Sequence, residues 1–110
     1  SPELLLEKVK KYSGSADLII VSGGTGFTKK DKTPETLKSI IDTEIPGIME
    51  WARNYGQNRT PYSMFSRGFA GLINDKLILA IPGSTNGVKE TIDALFPYVL
   101  HSFKMLKTKK

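Results

Sequence analysis

The chain has 110 residues, enough for one domain with one core and too few for two. At 39% hydrophobic and 25% charged it has the composition of an ordinary globular protein, and no apolar run approaches membrane-spanning length. It has no cysteine, which excludes disulfides, thiol nucleophiles and cysteine metal sites. With no signal peptide visible, the expected setting is cytoplasmic.

Ser1, Pro2 and Glu3 open a helix in the order hydroxyl, proline, acid. Leu5, Val9 and Tyr12 follow at helical spacing, and Ser13-Gly14-Ser15 closes it. Leu18, Ile19, Ile20 and Val21 form a continuous apolar run, which predicts a strand covered on both faces. Ser22-Gly23-Gly24-Thr25-Gly26 breaks that strand, and Thr33-Pro34-Glu35 starts the next helix with Thr33 as its cap. A strand of this type needs strand neighbours, and too few follow in the chain. An N-terminal strand is therefore expected to be missing, or supplied by another chain.

Leu37, Ile40 and Ile41 give the second helix an apolar face. Glu44-Ile45-Pro46-Gly47 marks a break and a restart. Ile48, Trp51, Ala52 and Tyr55 make the third helix amphipathic, with Gly56 as its stop and Trp51 in the core. Thr60-Pro61 starts a short helix through Phe65. Phe69–Ile73 and Leu77–Ile81 read as strands joined by a tight turn at Asn74-Asp75. Pro82-Gly83-Ser84 ends the second of them. Val88, Ile92 and Leu95 mark a further helix, and Val99, Phe103 and Leu106 a last helical run after Pro97. The net charge of +5 is mostly a tail: Lys104, Lys107, Lys109 and Lys110 are at the end, and five less four leaves +1. A solvated C-terminus fits this better than a nucleic-acid site, which would interleave basic residues with aromatics.

Ser22-Gly23-Gly24-Thr25-Gly26 fits neither the Walker A spacing nor G-x-G-x-x-G. Its physical value is close backbone approach, with bare amides free to face an anion and Thr25 adding a hydroxyl. Pro82-Gly83-Ser84 is a second such turn after a strand, and two turns lining one crevice favour a phosphate-bearing ligand. Two readings of Asp31 stand side by side. It would repel a phosphate directly but serve through a divalent cation, or it is a loop charge solvated among Lys29, Lys30 and Lys32. Arg67, fixed by a short helix and a turn, is a better phosphate contact than Lys29 or Lys30. The lone histidine, His101, is far from these turns and reads as packing or surface. If the chain is an enzyme, its chemistry works without a cysteine and without a histidine, and nucleotidyl transfer to a phosphate fits that restriction, because the attacking phosphate is already ionised and needs no base.

Read together, Ser22-Gly23-Gly24-Thr25-Gly26, Asp31-x-Thr33-Pro34-Glu35, Pro46-Gly47, Thr60-Pro61, Ser66-Arg67-Gly68 and Pro82-Gly83-Ser84 resemble, in order and spacing, the MoaB/Mog family of molybdenum cofactor biosynthesis. The resemblance implies an α/β fold, a three-layer sandwich whose mostly parallel sheet has helices on both faces, assembled as a homo-oligomer (trimer or hexamer). It implies molybdopterin and ATP as substrates, and adenylylation of molybdopterin with Mg-ATP in active members. Gly23, Gly24, Thr25 and Gly26 would form the glycine loop of the active site. Asp31 would be the catalytic acid acting through Mg. Ser66 and Arg67 would border the pterin-phosphate pocket, and Pro82, Gly83 and Ser84 would form the second ligand loop. Family members carry a further strand and a further acid before the region starting at Ser1, so residues 1–110 are expected to be roughly the C-terminal two thirds of such a domain. Thr85 and Asn86 stand where the family usually has another proline. Gly-Gly-Thr-Gly argues against the related molybdenum insertase domain, and Phe27 and Lys30 against the competence-damage family. The alternative function is a non-catalytic molybdopterin-binding or scaffold module.

Overall fold

The Ser1 hydroxyl accepts the Leu4 amide at 3.2 Å and starts helix α1 (Pro2–Ser13), as the sequence signature requires. In the computed structural model, which describes residues 1–108, α1 is followed by β1 (Leu18–Ser22), α2 (Thr33–Lys38), β2 (Thr43–Glu44) and α3 (Pro46–Gln57). A short 3-10 helix (Pro61–Phe65) leads to β3 (Phe69–Ile73), β4 (Lys76–Ile81) and α4 (Thr85–Leu95). A single 3-10 turn (Tyr98–Leu100) precedes α5 (His101–Thr108), so the run expected after Pro97 is split in two. Lys109 and Lys110 of the basic tail lie outside the described residues.

The fold is α/β, with one mixed sheet in the order β1-β4-β3-β2. β1 and β4 are parallel, from Leu18 opposite Leu77 to Ser22 opposite Ile81. The β3–β4 and β2–β3 pairs are antiparallel, which corrects the mostly parallel sheet expected above. The reason is local. Asn74 and Asp75 both take positive φ, 49° and 66°, and a two-residue turn of that shape returns the chain beside itself. β2 has only two residues and no apolar alternation to reveal it in the sequence.

The fully covered strand is also a different one. No residue of β1 is fully buried, and Ile20 is 41% exposed. By contrast, Leu77 to Ile81 of β4 are each at most 1% exposed. β4 lies between β1 and β3, whereas β1 pairs on one side only among the described residues. Alternation along β4 separates two apolar clusters. Leu77, Leu79 and Ile81 pack with Met49, Leu95 and Val99 of α3, α4 and the turn after it. Ile78 and Ala80 pack with Val9 of α1 and Leu37 of α2. Ile40 and Ile41 join this second cluster from beyond the end of α2.

Trp51 is not core: it is 57% exposed, and its indole N–H donates to the Ala94 carbonyl at 2.9 Å, tying α3 to α4. Gly56 lies inside α3 rather than ending it, and a Cβ there would meet the Ser63 Cβ at 3.1 Å. Leu37 is 0% exposed on a helix of only six residues, so packing rather than intrinsic propensity holds α2. Leu37→Ala is expected to cost about 2–5 kcal/mol in denaturant unfolding. A loss below about 1 kcal/mol would mean that this side chain does not anchor the helix.

Candidate functional site

β1 and β4 are parallel neighbours, so the turns that follow them leave the same end of the sheet. The Gly23 amide donates to the Ile81 carbonyl at 2.9 Å, and the Ser22 hydroxyl to the Pro82 carbonyl at 3.1 Å. A Cβ on Gly83 would fall 3.0 Å from the Gly23 Cα, so the two glycine turns are in direct contact. Gly23 and Gly24 have φ of +100° and +69°, a region costly for any other residue. Thr33 does not cap α2. Its hydroxyl donates instead to the Gly23 carbonyl at 2.9 Å, and its amide to the Gly24 carbonyl at 3.1 Å. The helix start thus holds the glycine turn in shape.

The loop between the glycines and α2 is held by Asp31 and Arg67. Both the Thr28 amide (3.0 Å) and the Thr28 hydroxyl (2.7 Å) donate to Oδ2 of Asp31. Arg67 Nε donates to the Gly26 carbonyl at 2.6 Å and Nη2 to the Asp31 carbonyl at 2.7 Å, while Nη1 pairs with the Glu35 carboxylate. The guanidinium offered above as a phosphate contact therefore braces the loop. The Arg67 amide adds a 2.6 Å bond to the Thr25 carbonyl.

These contacts shift the acids. The Thr28 hydroxyl, then its amide, hold the Asp31 carboxyl below its ordinary value, with smaller help from the Gly26 amide and the Arg67 charge. The Arg67 hydrogen bond does the same for Glu35, which in turn raises Arg67. Both carboxyls are depressed, so their contribution to stability is complete above the unfolded-like values of 3.8 and 4.5. It is lost as pH falls through the lower folded values. Thermal stability is expected to decline modestly below about pH 4, because both carboxyls are screened by solvent. Arg67→Met should flatten that acid slope without abolishing it, because Thr28 still holds Asp31. An unchanged slope would show that the Arg67–Glu35 pair contributes nothing.

Ser66, Pro82 and Ser84 line one cavity of about 280 Å³, together with Met49, Arg53 and Glu90. Ser84 caps α4 there by accepting the Gly87 amide at 3.0 Å, so the amino end of α4 opens at the cavity wall. Gly23 and Gly24 border a separate hollow of about 390 Å³ beside Lys30, Lys32 and Thr33. Thr25, Gly26, Asp31 and Arg67 line neither, and Thr25 is only 4% exposed. His101 is exposed at the start of α5. Arg53 and Glu90 carried no signal in the sequence, since single charges on amphipathic helices are ordinary. Among the described residues no three acidic or histidine side chains form a metal cage. A cation here would rest on Asp31 and on phosphate and water oxygens, as Mg2+ commonly does.

Glycine turns meeting at the carboxyl ends of two parallel strands, beside a cavity and a helix amino end, are the arrangement in which α/β binding domains take small ligands. The chain matches the family described as "Probable molybdopterin binding domain" over residues 1–101, and belongs to it. It is 35% identical over 91 residues to the molybdenum cofactor biosynthesis bifunctional protein of Chlorobaculum tepidum, covering 83% of this chain and 29% of that one. It is 41% identical over 91 residues to molybdenum cofactor biosynthesis protein B of Staphylococcus aureus, covering 80% and 54%. The chain thus spans about half or less of these relatives. The structure of the molybdopterin biosynthesis Mog protein of Mycobacterium ulcerans superposes with a TM-score of 0.86 at 36% identity, over 93% of this chain and 67% of that one.

Proposed function

We propose that this domain acts in molybdenum cofactor biosynthesis, binding molybdopterin and transferring to it the adenylyl group of ATP. The observation that carries the reading is the cavity beside the second turn, with Ser66, Pro82 and Ser84 in its wall and the amino end of α4 at its edge, while the first turn, in contact through Gly83, borders its own hollow. That helix end suits phosphate. In the reaction a phosphate oxygen of molybdopterin attacks the α-phosphorus of ATP. The new P–O bond forms as the bond to pyrophosphate breaks, and pyrophosphate leaves.

Asp31 fits a magnesium ion: its carboxyl is held ionised, and Thr28 occupies only Oδ2. Bound there, magnesium would neutralise charge on the phosphates. The chain's own part is to orient the two phosphates and to keep Asp31 in place through Arg67 and Thr28. The homo-oligomer belongs to the same reading. It is supported by an exposed apolar hollow of about 640 Å³ between Ile48, Trp51 and Tyr98, with Trp51 57% and Tyr98 70% exposed. Among the described residues no helix is long and apolar enough to cross a membrane.

The test is to incubate the chain with molybdopterin and Mg-ATP and to look for adenylyl-molybdopterin. Product supports the transferase. Molybdopterin bound without product supports the non-catalytic binding module, and no binding at all overturns both.

A further inference from the structure

Two large rings stand outside both apolar clusters and meet each other. Phe27 is 69% exposed and Phe65 49%, yet their centroids are 5.4 Å apart with the ring planes 30° from parallel. Phe27 is carried by the loop between the glycine turn and α2, and Phe65 ends the 3-10 helix just before Ser66 and Arg67. That loop is a closed unit. Its base is pinned where the Thr33 hydroxyl and amide donate to the Gly23 and Gly24 carbonyls. Its tip is tied on itself: the Asp31 amide donates to the Thr28 carbonyl at 3.0 Å, and Thr28 returns two bonds to the Asp31 carboxylate. A Cβ on Gly26 would fall 2.7 Å from Asp31 Oδ2, so the carboxylate lies against the glycine turn.

One short segment joins this unit to the body of the domain. The Arg67 amide and guanidinium bond the carbonyls of Thr25, Gly26 and Asp31, and the Phe65 ring stacks on Phe27. Arg67 thus holds residues 25, 26 and 31. The stack holds residue 27, next to the residue that grips the carboxylate. Rings at this separation attract beyond the area they cover. Rings this exposed add little to the core, so their contact acts on the position of the loop. We propose that Phe27 and Phe65 are positioning residues, an aromatic clasp that keeps the loop closed on the Ser66–Arg67 segment and sets Asp31 through Thr28. The clasp belongs to the loop itself; its consequence for transfer rests on the reading that Asp31 serves a magnesium ion. An open loop carries the carboxylate off the glycine turn, and the apparent affinity for the ion falls with the closed fraction.

Lys29, Lys30 and Lys32 are exposed on the loop, so trypsin nicking there, read by fragment mass, reports opening without any substrate. The chain, Phe27→Ala, Phe65→Ala, the double variant and Phe27→Tyr are compared for nicking, for thermal unfolding and, with molybdopterin and ATP, for transfer across a magnesium series. Phe27→Ala should nick about three- to tenfold faster, the loss of one aromatic pair, with Tm lowered by less than about 5 °C. Phe65→Ala should match it, the double variant should be no faster than either single one, and Phe27→Tyr should behave as the parent. The magnesium needed for half-maximal transfer should rise about twofold or more in the alanine variants, with the rate at saturating magnesium within about twofold of the parent. Unchanged nicking, or additive effects of the two alanines, would show that the rings do not act as a clasp and overturn the proposal. Faster nicking with transfer lowered equally at every magnesium concentration, or with a Tm fall of more than about 10 °C, describes a packing defect and also overturns it. Absence of product from the parent overturns the proposed function, while the nicking rates still decide the clasp.

Discussion

Asp31→Asn is expected to remove adenylyl transfer while the domain stays folded. Asparagine has nearly the same shape, and its carbonyl oxygen can still accept from the Thr28 amide and hydroxyl that now bond Oδ2 at 3.0 and 2.7 Å. The Arg67 contact to residue 31 is also kept, because it goes to the main-chain carbonyl. What disappears is the negative charge, and with it the hold on a cation that the proposed reaction assigns to Asp31. Losing one preorganised electrostatic contact of this kind costs about 10²–10³-fold in turnover. Product formation and thermal unfolding measured side by side decide the matter. Turnover within about threefold of the parent would reduce Asp31 to a loop tie. A collapsed Tm would show that the substitution had acted through folding.

Gly24→Ala is expected to destabilise the domain strongly. With φ at +69°, an alanine there carries the left-handed penalty of roughly 1–2 kcal/mol. Its Cβ would also fall 2.2 Å from Thr33 Oγ1 and 3.2 Å from Thr33 Cβ. Thr33 is buried and β-branched, so it cannot swing aside without giving up its 2.9 Å bond to the Gly23 carbonyl. Strain and the lost hydrogen bond together come to about 2–4 kcal/mol, a fall in Tm of roughly 10 °C or more. Gly23→Ala is the comparison. It meets nothing within 4 Å, so only its positive φ costs anything. Equal losses for the two variants would mean that the contact with Thr33 is not what limits position 24.

Much of the fold was legible from residues acting on their immediate neighbours. Ser1 and Thr60 cap their helices through the Leu4 and Tyr62 amides. Asn74-Asp75 make the turn their residue types suggest. Ser22 to Gly26 and Pro82 to Ser84 stood out as turns after strands because glycine and proline carry backbone geometry in their own chemistry. The order and spacing of these motifs also pointed to the family the chain belongs to. Where the reading failed, a distant partner had overridden the local pattern. Thr33 looks like a helix cap, yet its hydroxyl serves the glycine turn ten residues earlier. Trp51 sits on an apolar stripe, yet remains exposed with its indole N–H on Ala94.

Local propensity, capping and turn chemistry are written in a few adjacent residues, and so the sequence by itself determined most of the element order, the tight hairpin and the two glycine turns, but not the two-residue β2. Tertiary structure alone decided that β4 rather than β1 is the fully covered strand, and that most of the pairing is antiparallel. It alone gave Arg67 its partners, which lie 32 to 41 residues earlier, and left Oε2 of Glu90 unpaired in the cavity wall. Each of these outcomes depends on which segments meet after folding. A carboxylate or guanidinium has the same local sequence signature whether it faces water, a carbonyl or a ligand, and only its neighbours in space make the difference.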